Sequence, residues 1–161
     1  LAPYCASKFA LVGLSDSVRS ELDQYGIRVT TVSPGLMRTG SPLNAEFKGQ
    51  HELEYTWFAI SDSLPGLTIS AERAARQIVE ACRYGDPELT ITLPAKLAAR
   101  LSHLAPAIVG RALAVANRAL PGPTADADGN RRRLGRESET RWTGSVATLL
   151  THRAAAANNE L

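Results

Sequence analysis

The sequence predicts an α/β fold built on a parallel sheet, and three observations carry that prediction. Helix-like and strand-like runs alternate as helix–strand–loop–helix–strand over the first 93 residues. That order implies parallel strands joined by helical crossovers. The 161 residues are 44% hydrophobic and 21% charged, the balance of an ordinary folded domain rather than a disordered chain. The formal net charge of +2 argues against a dedicated nucleic-acid surface. A parallel sheet needs several strands and covered faces. Only two strands are visible here, and the chain opens Leu-Ala-Pro-Tyr with no start methionine. It therefore reads as the C-terminal part of a larger α/β protein.

The first helix begins at Pro3, a residue suited to a first helical turn. Leu11, Leu14, Val18, Leu22 and Tyr25 recur on one helical face, and Gly26 is the stop. Residues 27–32 are rich in β-branched side chains and run into Ser33-Pro34-Gly35, a strand followed by a breaker. Residues 36–68 read as a long loop, a lid, a binding loop or a disordered stretch, with a short helix around 52–60. Within it, Trp57 and Phe58 either line a pocket or anchor the loop to the core. Ser70 caps a second helix whose apolar side holds Ala71, Ala74, Ala75, Ile78, Val79 and Cys82, with Gly85 ending it. Residues 89–93 form the second strand.

Beyond residue 93 the pattern changes. Residues 94–120 form an amphipathic helical extension broken near Pro106. Residues 121–161 read as a polar tail, partly helical over 145–157 or disordered, with Arg131, Arg132 and Arg133 on a solvated stretch. His51, His103 and His152 lack ligand spacing and are expected at the surface or in loops, so no metal site is expected. Cys5 and Cys82 form no redox or metal pattern, and Cys5 is expected to pack as a small side chain. Together with the absence of a signal peptide or long apolar run, they predict a cytoplasmic protein.

Tyr4 and Lys8 carry the chemistry. Spaced four apart at a helix start, they share one face one turn apart. A free phenol ionises near pH 10 and is a poor proton shuttle at neutral pH. A nearby ammonium favours the phenolate. The pair is thus suited to general acid–base work on a carbonyl or alcohol oxygen.

Tyr4-Cys5-Ala6-Ser7-Lys8-Phe9-Ala10 resembles the active-site helix of the short-chain dehydrogenase/reductase family. Pro34-Gly35-Leu36-Met37-Arg38-Thr39 resembles that family's Pro-Gly-x-x-x-Thr turn, which follows a strand as here. The resemblance covers residues 1–93. It implies the C-terminal portion of a Rossmann-type doubly wound parallel sheet, binding NAD or NADP and passing hydride between nicotinamide and an alcohol/ketone substrate. Tyr4 would be the catalytic acid–base. Lys8 would favour its phenolate and hydrogen-bond the nicotinamide ribose. Pro34 and Gly35 would bring the turn against the nicotinamide, the Met37 backbone would pair with the carboxamide, and the Thr39 hydroxyl would reach the carboxamide or a phosphate. The family's glycine-rich dinucleotide turn and its catalytic Ser precede the Tyr, so the isolated chain is expected to be inactive.

The alternative is a non-catalytic relative acting in oligomerisation or docking, with the first helix as a packing face. A homo-oligomer is expected in either case. In the extension, Leu97, Leu101, Leu104 and Ile108 form a stripe beside Lys96, Arg100, Arg111 and Arg118, with no acidic residue between Glu88 and Asp126. Packing against protein is favoured for that stripe over contact with an anionic membrane surface.

Overall fold

The computed structural model describes residues 2–64, 66–124, 128–140, 143 and 148–160. Pro65, Asp126 and residues 145–147, read above as loop or as the start of a last helix, lie outside the described residues. The fold is mixed α/β, with short strands in pairs and helices between them. The chain forms two compact units, residues 1–34 with 72–91 and residues 35–71 with 92–161. This grouping differs from boundaries at 93 and 120.

The first unit holds α1 (Ala2–Asp23), β1 (Thr31–Ser33), α4 (Ala71–Tyr84, from residue 72 on) and β5 (Glu88–Thr90). α1 ends as its sequence dictates. Gly26 takes φ +70°, and the Ile27 N–H reaches back to the Leu22 carbonyl. Gly85 does the same for α4, with the Asp86 N–H on the Ala81 carbonyl. β1 and β5 pair in parallel, Val32 opposite Leu89, so the expected parallel order is present. β1 is shorter than the β-branched run, because pairing extends only across the three residues that face β5.

The apolar faces of these helices are less covered than the sequence pattern implies. On α1, Val18 and Leu22 are half-buried, while Leu11, Leu14 and Tyr25 are exposed. On α4 the buried residues are Ala74 and Ala81; Val79 and Cys82 are exposed. Cys5 is likewise exposed rather than packed.

The second unit contains β2 (Leu36–Arg38), α2 (Ser41–Asn44), β3 (Glu46–Phe47), α3 (His51–Ser63) and β4 (Thr68–Ser70). It continues with α5 (Leu93–Leu104), α6 (Pro106–Asn117), β6 (Arg133–Leu134) and α7 (Leu149–Ala157). The expected long loop is therefore an ordered β–α–β passage in which β2 and β4 pair in parallel and α3 is their crossover. Three-residue strands are too short to show a periodicity, which is why they read as loop. The strands form three separate pairs, and no single doubly wound sheet is present among the described residues.

The core of the second unit is Leu43, Phe47, Tyr55, Ala59 and Ala155. Phe47 meets the Tyr55 ring edge-on at 5.7 Å and the Phe58 ring at 6.0 Å. Phe58 thus anchors α3 to this core, whereas Trp57 faces outward. The stretch read as a polar tail supplies much of the packing: Ser138, Thr143, Thr148 and Thr151 are buried. Gly135 lies so close to the Pro42 carbonyl that a Cβ would overlap it. Arg132 pairs with Glu46 at 3.2 Å and Arg133 with Asp128 at 2.7 Å, while β6 pairs antiparallel with β3. His51 is buried, its Nε2 2.7 Å from the Arg131 carbonyl, and so is not a surface residue.

Candidate active site

Tyr4 and Lys8 stand on the first turns of α1, where helical geometry brings positions i and i+4 together. The Lys8 Nζ lies 5.3 Å from the centroid of the Tyr4 ring, so the ammonium sits against the ring face. Tyr4 is 61% exposed, its hydroxyl accessible to a ligand. The Ser7 hydroxyl donates to the Tyr4 carbonyl at 2.7 Å, which occupies Ser7 with its own helix.

What fixes α1 on its unit is Arg19, a residue the sequence pattern did not single out. Its Nε donates to the Val29 carbonyl at 3.0 Å, and one terminal nitrogen reaches both the Thr31 hydroxyl and the Pro87 carbonyl at 2.7 Å. The other terminal nitrogen pairs with Asp16 at 2.7 Å. One planar fork thus ties the helix carrying Tyr4 and Lys8 to the segments leading into β1 and β5.

The Pro34–Thr39 turn begins at an exposed Pro34 after β1 and continues in the second unit. Gly35 faces Thr92: a Cβ at Gly35 would overlap the Thr92 side chain. Thr92 is buried and caps α5, its hydroxyl accepting the Ala95 N–H at 3.3 Å. Glycine is therefore needed here for close packing of the chain on itself. Gly35→Ala should destabilise the protein by about 1–3 kcal/mol, because the buried cap has to move. Urea unfolding measures this, and a change under about 0.5 kcal/mol would contradict the packing role.

Met37 sits in β2 opposite Ile69. The Thr39 hydroxyl donates to the Ser41 hydroxyl at 2.8 Å and accepts the Ser41 N–H at 3.3 Å, so its proton is already used at the start of α2. The Thr39 N–H is donated to Asp62, a carboxyl only 4% exposed on α3. Asp62 escaped the sequence reading because a lone acid near a helix end carries no pattern. One of its oxygens has no hydrogen-bond partner. Burial pushes its pKa up from 3.8 to about 6, opposed by the Thr39 N–H and by the nearby Arg38, whose guanidinium donates to the Thr68 hydroxyl at 2.9 Å.

A raised folded-state pKa means that the folded chain holds the proton more tightly than the unfolded chain. The resulting stabilisation is full below about pH 4 and is lost as the pH rises through about 6. Asp62→Asn keeps an oxygen for the Thr39 N–H and removes the charge. It should raise stability at pH 7 by about 1–2 kcal/mol and leave stability at pH 4 nearly unchanged. Urea midpoints across pH 4–8 test this; a difference that stays constant with pH would be the contrary result.

The site residues thus fall into two sets. Tyr4, Lys8 and Pro34 belong to the first unit; Gly35, Met37 and Thr39 belong to the second. The structure joins Tyr4 to Lys8, and Thr39 to Asp62.

Residues 1–48 match the family described as short chain dehydrogenase. Over this segment the chain is similar to short-chain dehydrogenases/reductases. A Drosophila melanogaster "Dehydrogenase/reductase SDR family protein 7-like" is 32% identical over 108 residues, covering 66% of this chain and 32% of the fly protein. A Dictyostelium discoideum "3-ketodihydrosphingosine reductase" is 33% identical over 99 residues, or 62% of this chain and 28% of that protein. Human "Retinol dehydrogenase 5" is 53% identical over 36 residues, or 22% of this chain and 11% of that protein. The chain spans about a third of the length of the first two relatives. No solved structure matches it.

The family implies a nicotinamide dinucleotide, and the residues present fit one at the Tyr4–Lys8 end. An exposed phenol beside an exposed ammonium offers donors suited to a carbonyl oxygen and to ribose hydroxyls. The Pro34–Thr39 turn is used differently: Thr92 fills the space beside Gly35, and Ser41 holds the Thr39 hydroxyl.

Proposed function

We propose that the full-length protein is an NAD(P)-dependent oxidoreductase acting on an alcohol/ketone pair. The observation that carries this reading is the contact of Lys8 with Tyr4 on the helix that matches the family. Bound nicotinamide supplies or accepts the hydride. In the reducing direction the Tyr4 hydroxyl gives its proton to the carbonyl oxygen; in the oxidising direction Tyr4 takes the proton of the alcohol. Lys8 holds its positive charge against the Tyr4 ring, and its ammonium has donors free to hold the nicotinamide ribose. Met37 and Thr39, with Pro34 and Gly35 leading into them, would line the carboxamide. For that, the Thr39 hydroxyl must turn from Ser41.

Both cysteines are free and exposed, which supports a reducing, cytoplasmic setting. Phe9, 81% exposed on α1, supports the second reading, in which α1 packs against another copy of the chain. The test is oxidation of NADH or NADPH by the full-length protein with a panel of ketones. Activity in the wild type that is absent from Tyr4→Phe supports the enzyme. No turnover with any ketone, combined with an oligomer that Phe9→Ser dissociates, favours the packing reading.

A further inference from the structure

The helix pair α5–α6 contains no buried residue. Leu93, Leu97, Leu101 and Leu104 line one side of α5 and are exposed, Leu104 at 82%. On α6, Ile108, Leu113 and Val115 are exposed as well. The two helices pack on each other across the break at Ala105–Pro106. The apolar stripe of the extension therefore faces outward on both helices.

Charge distinguishes this face from the other bare helix. α1 also buries nothing, but it carries both signs, with Asp16, Glu21 and Asp23 beside Lys8 and Arg19. α5 and α6 carry one sign. Lys96, Arg100 and Arg111 are exposed on them, Arg118 follows, and no acidic residue stands between Glu88 and Asp126. Lys96, Arg100 and His103 each directly precede a leucine of the stripe, so they flank it along the length of α5. Long basic side chains beside an apolar stripe let the stripe enter a headgroup layer while the charges meet phosphates. Side-chain type points the same way. Residues 93–120 contain no Trp, Tyr or Phe and are dominated by Ala and Leu. Protein hot spots favour aromatic residues and are poor in Leu and Val. Among the described residues no helix is long and apolar enough to cross a membrane, so contact of this kind is with the surface.

We propose that α5 and α6 form a peripheral docking face for an anionic lipid bilayer, with Leu97, Leu101 and Leu104 inserted and Lys96, Arg100 and Arg111 at the phosphates. The interaction joins apolar burial to charge attraction and is thus weakened by salt.

The test is sedimentation of the full-length protein with vesicles of phosphatidylcholine alone and of phosphatidylcholine mixed with phosphatidylserine. Binding is expected to the mixed vesicles, to fall with added salt, and to drop at least about tenfold in Lys96→Glu/Arg100→Glu. These two residues are exposed, so the variant keeps its fold, which circular dichroism verifies. Leu101→Asp is expected to lose binding while its elution volume on size exclusion stays the same. Binding to neither vesicle, or binding indifferent to lipid charge and to the double reversal, overturns the proposal. So does a Leu101→Asp protein that changes oligomeric state yet still sediments with mixed vesicles; that outcome assigns the stripe to a protein partner.

Discussion

Tyr4→Phe in the full-length protein is expected to lower kcat by about 10²–10⁴-fold and to leave cofactor affinity nearly unchanged. The substitution removes one oxygen from an exposed side chain and keeps the ring against which Lys8 packs. Only the transferable proton is lost. Lys8→Ala is expected to lower kcat and also to weaken cofactor binding, because the ammonium both lies against the ring and is free to hold a ribose. Lys8→Arg should restore neither, since a planar, bulkier fork does not replace a compact charge. Stopped-flow hydride transfer and cofactor titration separate the two quantities. Tyr4→Phe retaining more than about a tenth of wild-type turnover would remove Tyr4 from the chemistry.

How much of this was legible in the sequence depends on the range of the interactions. α1 was readable because its stop at Gly26 is local backbone geometry, and the Tyr4–Lys8 contact because it is a one-turn spacing. The parallel pairing of β1 with β5 followed from alternation alone. β2 and β4 were not readable, since three residues hold no period and their pairing spans the length of α3. The packing of 128–160 was hidden for a different reason. Apart from Ala155, the buried side chains described there are Ser and Thr, which bond to carbonyls and to other hydroxyls, as Thr151 does to Ser63 at 2.5 Å. A polar composition therefore looked like a tail. At the site, the role of Gly35 became visible only with Thr92 beside it, and Asp62 only with the Thr39 N–H upon it. Both are partnerships between residues distant in sequence, which spacing rules do not reach.

Arg19 is such a partnership too, and its removal is expected to have the largest effect on the first unit. Arg19→Ala deletes donors to the Val29 and Pro87 carbonyls and to the Thr31 hydroxyl, together with the charge facing Asp16. Hydrogen bonds from a charged donor contribute more than neutral ones, but the guanidinium is about a quarter exposed, so water recovers part of the loss. The expected destabilisation is about 2–3 kcal/mol. Arg19→Lys should recover less than half of it, because one ammonium cannot reach both strand approaches and the helix. Asp16→Asn removes only the exposed pair within α1 and should cost no more than about 0.5 kcal/mol. Urea unfolding gives these differences, and hydrogen exchange locates them. The Thr31 N–H, bonded to the Pro87 carbonyl at 3.0 Å, should lose protection in Arg19→Ala. If Arg19→Ala cost no more than Asp16→Asn, or if Thr31 kept its protection, then α1 would be held to β1 and β5 by the half-buried Val18 and Leu22 instead.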